Sequence, residues 1–69
     1  MKVTVTYLKQ EEVEINDKYQ VLLDEDFYNC FNNWFPVENE MVKEVCDKLN
    51  IKDTYDVECI ETEEGIIYE

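Results

Sequence analysis

A chain of 69 residues makes one domain, residues 1–69, with a single small core, and 45% apolar and aromatic content is too much for a disordered polymer. Eighteen Asp and Glu face six Lys, with no Arg and no His, so the net charge is −12. Such a surface repels nucleic acid and anionic membranes and attracts basic surfaces, above all the phosphate-binding grooves of nucleic-acid proteins.

The first segment, MKVTVTYL, alternates. Val3, Val5 and Tyr7 share one face and Lys2, Thr4 and Thr6 the other, the pattern of a half-buried strand. Residues 9–12 break the alternation. It resumes with Val13 and Ile15 inward and Glu12 and Glu14 outward, and the two strands pair most simply as an antiparallel hairpin. In NDKYQVLL, Asn16 or Asp17 can cap a helical turn that carries Tyr19, Leu22 and Leu23 at i, i+3, i+4. A third strand with Tyr19, Val21 and Leu23 inward is the competing pattern.

DEDFYNCFNNWFPVENE follows. Asp24 is a good N-cap, and Glu25 and Asp26 put negative charge in the first turn, where the helix dipole favours it. Phe27, Phe31, Trp34 and Phe35 then fall on one helical face, which predicts that they point into the core; Tyr28 lies off that stripe and is predicted to stay partly exposed. Pro36 is predicted to end this helix and open the next. In the second helix Val37, Met41, Val45 and Leu49 form a row with Val42 and Cys46 beside it. Glu44 and Lys48 are spaced to pair, and Asn50 to terminate.

Near the C-terminus Tyr55, Val57 and Cys59 alternate with Asp56 and Glu58, predicting a strand with the acids outward. Ile60 interrupts the alternation at a bulge. Residues 62–65 form a turn, with Gly65, the only glycine, where positive φ is most needed; Ile66–Tyr68 returns as a strand. The order is β-β-α-α-β-β, an α+β fold in which two helices pack on one face of a small antiparallel sheet.

Charge is distributed unevenly. Residues 24–40 carry net −5 and residues 53–69 net −7, with no lysine in either, while residues 1–23 carry −1 and 41–52 carry +1. The open sheet face is predicted to show Glu12, Glu14, Asp56 and Glu58, with Glu61, Glu63 and Glu64 extending the row. Carboxylates two apart on a strand project about 6.6 Å apart, similar to neighbouring phosphates on a nucleic-acid strand. These seven residues are the candidate partner-binding set.

Catalytic chemistry finds no support. Ser and His are absent, the cysteines have no histidine partner, and one glycine cannot build a phosphate loop. Asp24-x-Asp26 opens like a calcium loop but lacks the following acid and glycine. Cys30, Cys46 and Cys59 are odd in number and widely spaced, and read as reduced, buried thiols. No enzyme, cofactor or metal site is expected. No run is long enough to cross a membrane and no targeting pattern opens the chain, so a cytoplasmic location is expected.

The absence of Ala and Ser, with abundant Lys, Asn, Ile, Tyr and Glu, is the composition of an AT-rich coding sequence, as in low-GC bacteria and their phages. In size, charge and composition the chain resembles the small acidic anti-defence proteins of phages and mobile elements, including anti-CRISPR proteins that block the DNA-binding grooves of Cas effectors. That resemblance implies an acidic inhibitor that mimics nucleic-acid charge on a nucleic-acid-binding protein. No motif accompanies it and no residue role transfers. The alternative is a protein–protein interaction or regulatory module, self-association as a homodimer included, anchored by apolar residues such as Tyr28 or Tyr68, with acidity serving solubility alone.

Overall fold

The computed structural model describes all residues, Met1–Glu69. Strand β1 (Lys2–Thr6) and strand β2 (Gln10–Glu14) form the expected antiparallel hairpin, with Val3 opposite Val13 and Thr4 opposite Glu12. A 3₁₀ segment (Asp17–Leu23) follows, then a short helix α1 (Glu25–Tyr28), the long helix α2 (Phe31–Leu49), a 3₁₀ turn (Thr54–Asp56), and strands β3 (Cys59–Thr62) and β4 (Gly65–Tyr68). The sheet order is β2-β1-β3-β4, antiparallel throughout. The fold is α+β, with the helical segments collected on one side of the sheet.

One cluster of twelve buried residues forms the core: Val3, Val5, Ile15, Val57, Ile60 and Ile67 from the sheet and its flanks, Tyr19 and Leu22 from the 3₁₀ segment, and Met41, Val42, Val45 and Cys46 from α2. No charged side chain is buried. All eighteen carboxylates therefore remain at the surface or its margin, and the whole net charge is available to shape the outer field.

Local sequence chemistry explains the element boundaries. The Asn16 side chain accepts from the Lys18 amide at 2.9 Å and starts the 3₁₀ segment, so the helical alternative prevails over a third strand. The Asp24 carboxylate accepts from the Asp26 amide at 2.9 Å as the cap of α1. Asn50 closes α2 in the left-handed conformation, φ 57°, with its own amide and that of Ile51 turned back onto the Cys46 carbonyl. Gly65 has φ +152°, where any Cβ is strained, although a Cβ there would meet only Leu23 at 3.6 Å.

Five expectations are overturned. The aromatic stripe does not ride on one helix. The chain leaves α1 at Asn29, and Cys30 is extended (φ −121°, ψ 110°) before α2 begins, so the helical phase resets between Phe27 and Phe31. Asn29 and Cys30 are both weak helix formers. Pro36 neither ends nor begins a helix. It lies inside α2, where it has no N–H to give to the Asn32 carbonyl. Glu44 and Lys48 do not pair: Glu44 accepts from the Asn16 amide at 2.9 Å, and the Lys48 ammonium donates to the Glu14 carbonyl. Both reach to the end of β2, so tertiary anchoring outcompetes the weak i, i+4 pair.

The final strand also differs. Asp53 caps the turn at Thr54–Asp56, accepting from the Tyr55 amide at 2.9 Å, so β3 starts only at Cys59. Its phase is inverted relative to the alternation of Tyr55, Val57 and Cys59. Ile60 is fully buried opposite Val5, while Cys59 and Glu61 stand opposite Thr6 and Thr4 on the open face. The register shift between Ile60 and Glu61 is the predicted bulge. Last, only Cys46 of the three thiols is buried; Cys30 is exposed and Cys59 half-buried.

Candidate partner-binding surface

Five ion pairs divide the carboxylates into two populations. Lys2 pairs with Glu12 at 3.2 Å, Lys9 with Glu11 at 2.9 Å and Lys18 with Glu40 at 2.6 Å, while the Met1 amino group meets Glu14 and Asp17. Lys9, and after it the Tyr7 hydroxyl, hold the Glu11 carboxyl below its ordinary range; Lys18 does the same for Glu40. None of the acids at residues 24–26 or 53–69 has a cationic partner. Neutralisation is thus concentrated around β1, β2 and the 3₁₀ segment and reaches α2 only at Glu40, while the acids of residues 24–26 and 53–69 stay unpaired.

The seven candidate acids are partly brought together. Glu12 and Glu14 stand on the open face of β2, paired with Lys2 and the amino terminus. Glu61 is reached from Glu12 across Thr4, two strands and about 10 Å away. Glu63 and Glu64 form the β3–β4 turn, which the Thr62 hydroxyl holds by accepting from the amides of Glu64 (3.0 Å) and Gly65 (3.2 Å). Glu12, Glu63 and Glu64 line one open groove of about 380 Å³, together with Met1, Lys2 and Gln20. Asp56 and Glu58 are elsewhere. Asp56 is in the 3₁₀ turn, and Glu58 precedes β3 with its amide bonded to the Thr6 carbonyl. The inverted strand phase removes both from the open face and substitutes Glu61.

A second surface was not foreseen as one. Tyr28, Trp34, Phe31 and Phe35 form a continuous ring cluster: Tyr28 stacks on Trp34 at 5.0 Å, Phe31 meets the edge of Trp34 at 5.1 Å, and Phe31 stacks on Phe35 at 4.8 Å. Tyr28 and Trp34 are half-buried, but Phe31 is 58% and Phe35 45% exposed. The expected core position of the stripe holds for Phe27 and Trp34, which pack against the core, and fails for Phe31 and Phe35. Tyr28 is tied down at its tip, where the single hydroxyl proton is shared between Glu38 (3.1 Å) and the Ile67 carbonyl (3.2 Å). Burial, then the adjacent Glu38 carboxylate, pushes its pKa up to about 12. Burial likewise pushes Glu38 above the ordinary carboxylate range, against the Tyr28 hydrogen bond that lowers it.

Beside this cluster is a second groove, of about 260 Å³, lined by Phe35, Glu38, Asn39, Val42, Thr54, Tyr55 and Tyr68. Tyr55 is 92% exposed, and Glu38 is the one charged residue in the lining. The 3₁₀ turn that displaces Tyr55 from the predicted strand is what delivers it here. The sequence signal for that turn is Asp53, an Asx cap ahead of Thr54 and Tyr55.

No group of three His, Cys, Asp or Glu side chains is placed to hold a metal ion, and no helix is long and apolar enough to cross a membrane. Comparison with protein-family profiles, with curated proteins and with solved structures finds no match to the chain.

Proposed function

We propose that the chain is an acidic inhibitor that mimics nucleic-acid charge and binds the basic surface of a nucleic-acid-binding protein. A host-defence effector such as a CRISPR-Cas protein is the class of target its build suggests, with action in the cytoplasm of a low-GC bacterium that carries it on a phage or mobile element. The reading rests on one observation: none of the carboxylates of residues 24–26 and 53–69 has a cation partner. Charge serving solubility alone is normally interspersed with the opposite sign. Here five ion pairs are spent on one region and none on the other. The unscreened field steers a basic partner in and keeps nucleic acid out.

Within the candidate set, Glu61, Glu63 and Glu64 carry the reading; Glu63 and Glu64 share their groove with Glu12, and Glu61 stands on the open face beside it. Asp56 and Glu58 extend the unscreened population from a different part of the surface. The test is capture from nuclease-treated bacterial lysate on the immobilised chain, followed by elution with added DNA or with salt. The expected result is retention of nucleic-acid-binding proteins that either eluant releases. Retention that survives both excess DNA and high salt would overturn the mimicry reading in favour of an apolar interaction module, which the exposed Phe31 and Phe35 support.

A further inference from the structure

The groove between α2, the 3₁₀ turn and the end of β4 has a chemistry that the acidic-mimic reading does not use. Three aromatic side chains, Phe35, Tyr55 and Tyr68, surround a single carboxylate, Glu38. Two of them, Phe35 and Tyr55, are among the most exposed large apolar side chains of the chain. Glu38 is only partly solvated and has no cation partner; its one side-chain hydrogen bond comes from the Tyr28 hydroxyl. Aromatic faces are the negative ends of ring quadrupoles, and a cation within about 6 Å of a ring centroid is attracted to them. A carboxylate at the same place adds full charge. At about 260 Å³ the groove falls below the roughly 300–1,000 Å³ of small-molecule and cofactor sites. It suits one inserted side chain.

The molecule makes this arrangement once already and fills it. The Lys18 ammonium is 5.3 Å from the Tyr19 ring centroid and 2.6 Å from Glu40, two residues along α2 from Glu38. An aromatic ring and an α2 carboxylate hold a cation there. At Glu38 the rings and the carboxylate are present, and no lysine lines the groove.

We propose that the Phe35–Glu38–Tyr55–Tyr68 groove is the anchor pocket for an arginine side chain of the protein partner, resting on the reading that the partner's surface is basic. Arginine fits better than lysine on three counts. Its guanidinium is planar and stacks on rings. It is weakly hydrated, so it leaves water at lower cost. It also presents a fork of donors to a carboxylate whose other oxygen is engaged by a hydroxyl. Charge complementarity decides against a second copy of this chain as the occupant: the chain has no arginine and a net charge of −12. The unscreened acids supply long-range attraction, and this pocket supplies the contact that holds the partner, an aromatic site that the inserted side chain desolvates, as in binding hot spots.

The experiment is a titration of the whole chain with octa-arginine and, separately, with octa-lysine at low salt, followed by NMR of backbone amides and aromatic protons. Phe35→Ala, Glu38→Gln and Tyr55→Ala are titrated in parallel. Phe35 and Tyr55 are exposed and Gln keeps the acceptor for Tyr28, so the variants fold, which their amide spectra verify. The expected result is tighter binding of octa-arginine than of octa-lysine, largest shifts at Phe35, Glu38, Tyr55 and Tyr68, and a loss of about 3- to 30-fold in affinity in each variant, the range a cation–π contact supports. Binding with shifts confined to the Glu61–Glu64 turn and unchanged affinity in the variants overturns the pocket and leaves the basic-partner reading standing. Equal affinity and equal shifts for the two peptides overturn the assignment to arginine. Failure of both peptides to bind overturns both proposals.

Discussion

The two ends of α2 are built from the same kind of sequence and behave differently. From Met41 onward, residues at helical spacing are sealed in the core: Met41, Val42, Val45 and Cys46 are all buried. From Phe31 to Phe35 the spacing is equally regular and the residues are larger, yet two of the three rings stand in solvent. The difference is the surface opposite. The rear half of α2 is sealed against the core, whereas in the front half Trp34 and Val37 pack on the core and Phe31 and Phe35 have no layer that covers them, the short helix α1 adding only Phe27 and Tyr28. Amphipathic period shows which side of a helix is apolar; whether a partner layer extends far enough to cover that side is a tertiary property.

Substitutions along α2 sharpen this contrast. The largest effect is expected in the rear half. Met41→Ala or Val45→Ala opens a cavity in a core of twelve residues, and large-to-small changes of this kind cost about 2–5 kcal/mol for Met and somewhat less for Val. In a domain this small that takes most of the stability, read as a collapse of the urea midpoint. An intermediate effect of opposite sign is expected at the junction of the halves. Pro36→Ala restores the missing helical donor and stabilises the chain, up to the roughly 3 kcal/mol by which Ala exceeds Pro in helix interiors. A lower midpoint in this variant would mean that the proline ring itself packs or that its stiffness in the unfolded chain dominates.

Tyr28→Phe comes next, at about 1 kcal/mol for the lost hydroxyl bonds to Glu38 and Ile67. Its pH dependence is more diagnostic. The folded chain raises the Tyr28 pKa from 10.0 to about 12, so its contribution is fully present below pH 10 and is lost as pH rises from 10 to 12. Over that window the native chain should lose more stability than the Phe variant. Parallel curves for the two would contradict the burial of this hydroxyl. The smallest effect is expected at the front of the helix, where Phe31→Ala and Phe35→Ala change stability by no more than about 0.5 kcal/mol. A loss comparable to Met41→Ala would mean that these rings are covered, and the contrast between the halves would vanish.

What the sequence made legible follows the same division. Patterns with a local cause were readable: the β1–β2 alternation, the caps at Asn16, Asp24 and Asn50, and the turn at Gly65. So was the rear half of α2, because its period and its partner surface agree. The front half was misread because period alone placed Phe31 and Phe35 inside. The last strand was misread because Tyr55, Val57 and Cys59 alternate as a strand should, while the Asp53 cap, a one-residue signal, turns the chain before the strand begins. That error carried into the candidate acids. Glu61, not Asp56 and Glu58, shares the open face with Glu12 and Glu14. The Glu44–Lys48 pair failed for a related reason, since each side chain has a tertiary target at the end of β2 that a helical wheel does not show.

The division of the carboxylates is the claim on which the functional account depends, and paired neutralisations test it most directly. One variant replaces Glu61, Glu63 and Glu64 with Gln; the other replaces the ion-paired Glu11 and Glu40 with Gln and the ion-paired Asp17 with Asn. Both remove the same formal charge. The measurement is the affinity of each for octa-arginine as a function of salt. The account predicts that the Glu61/Glu63/Glu64 variant binds more weakly and with a shallower salt slope, while the other stays closer to the native chain because its carboxylates are already occupied. Equal losses from the two variants would contradict it, and the negative charge would then be a property of the whole surface with no privileged region.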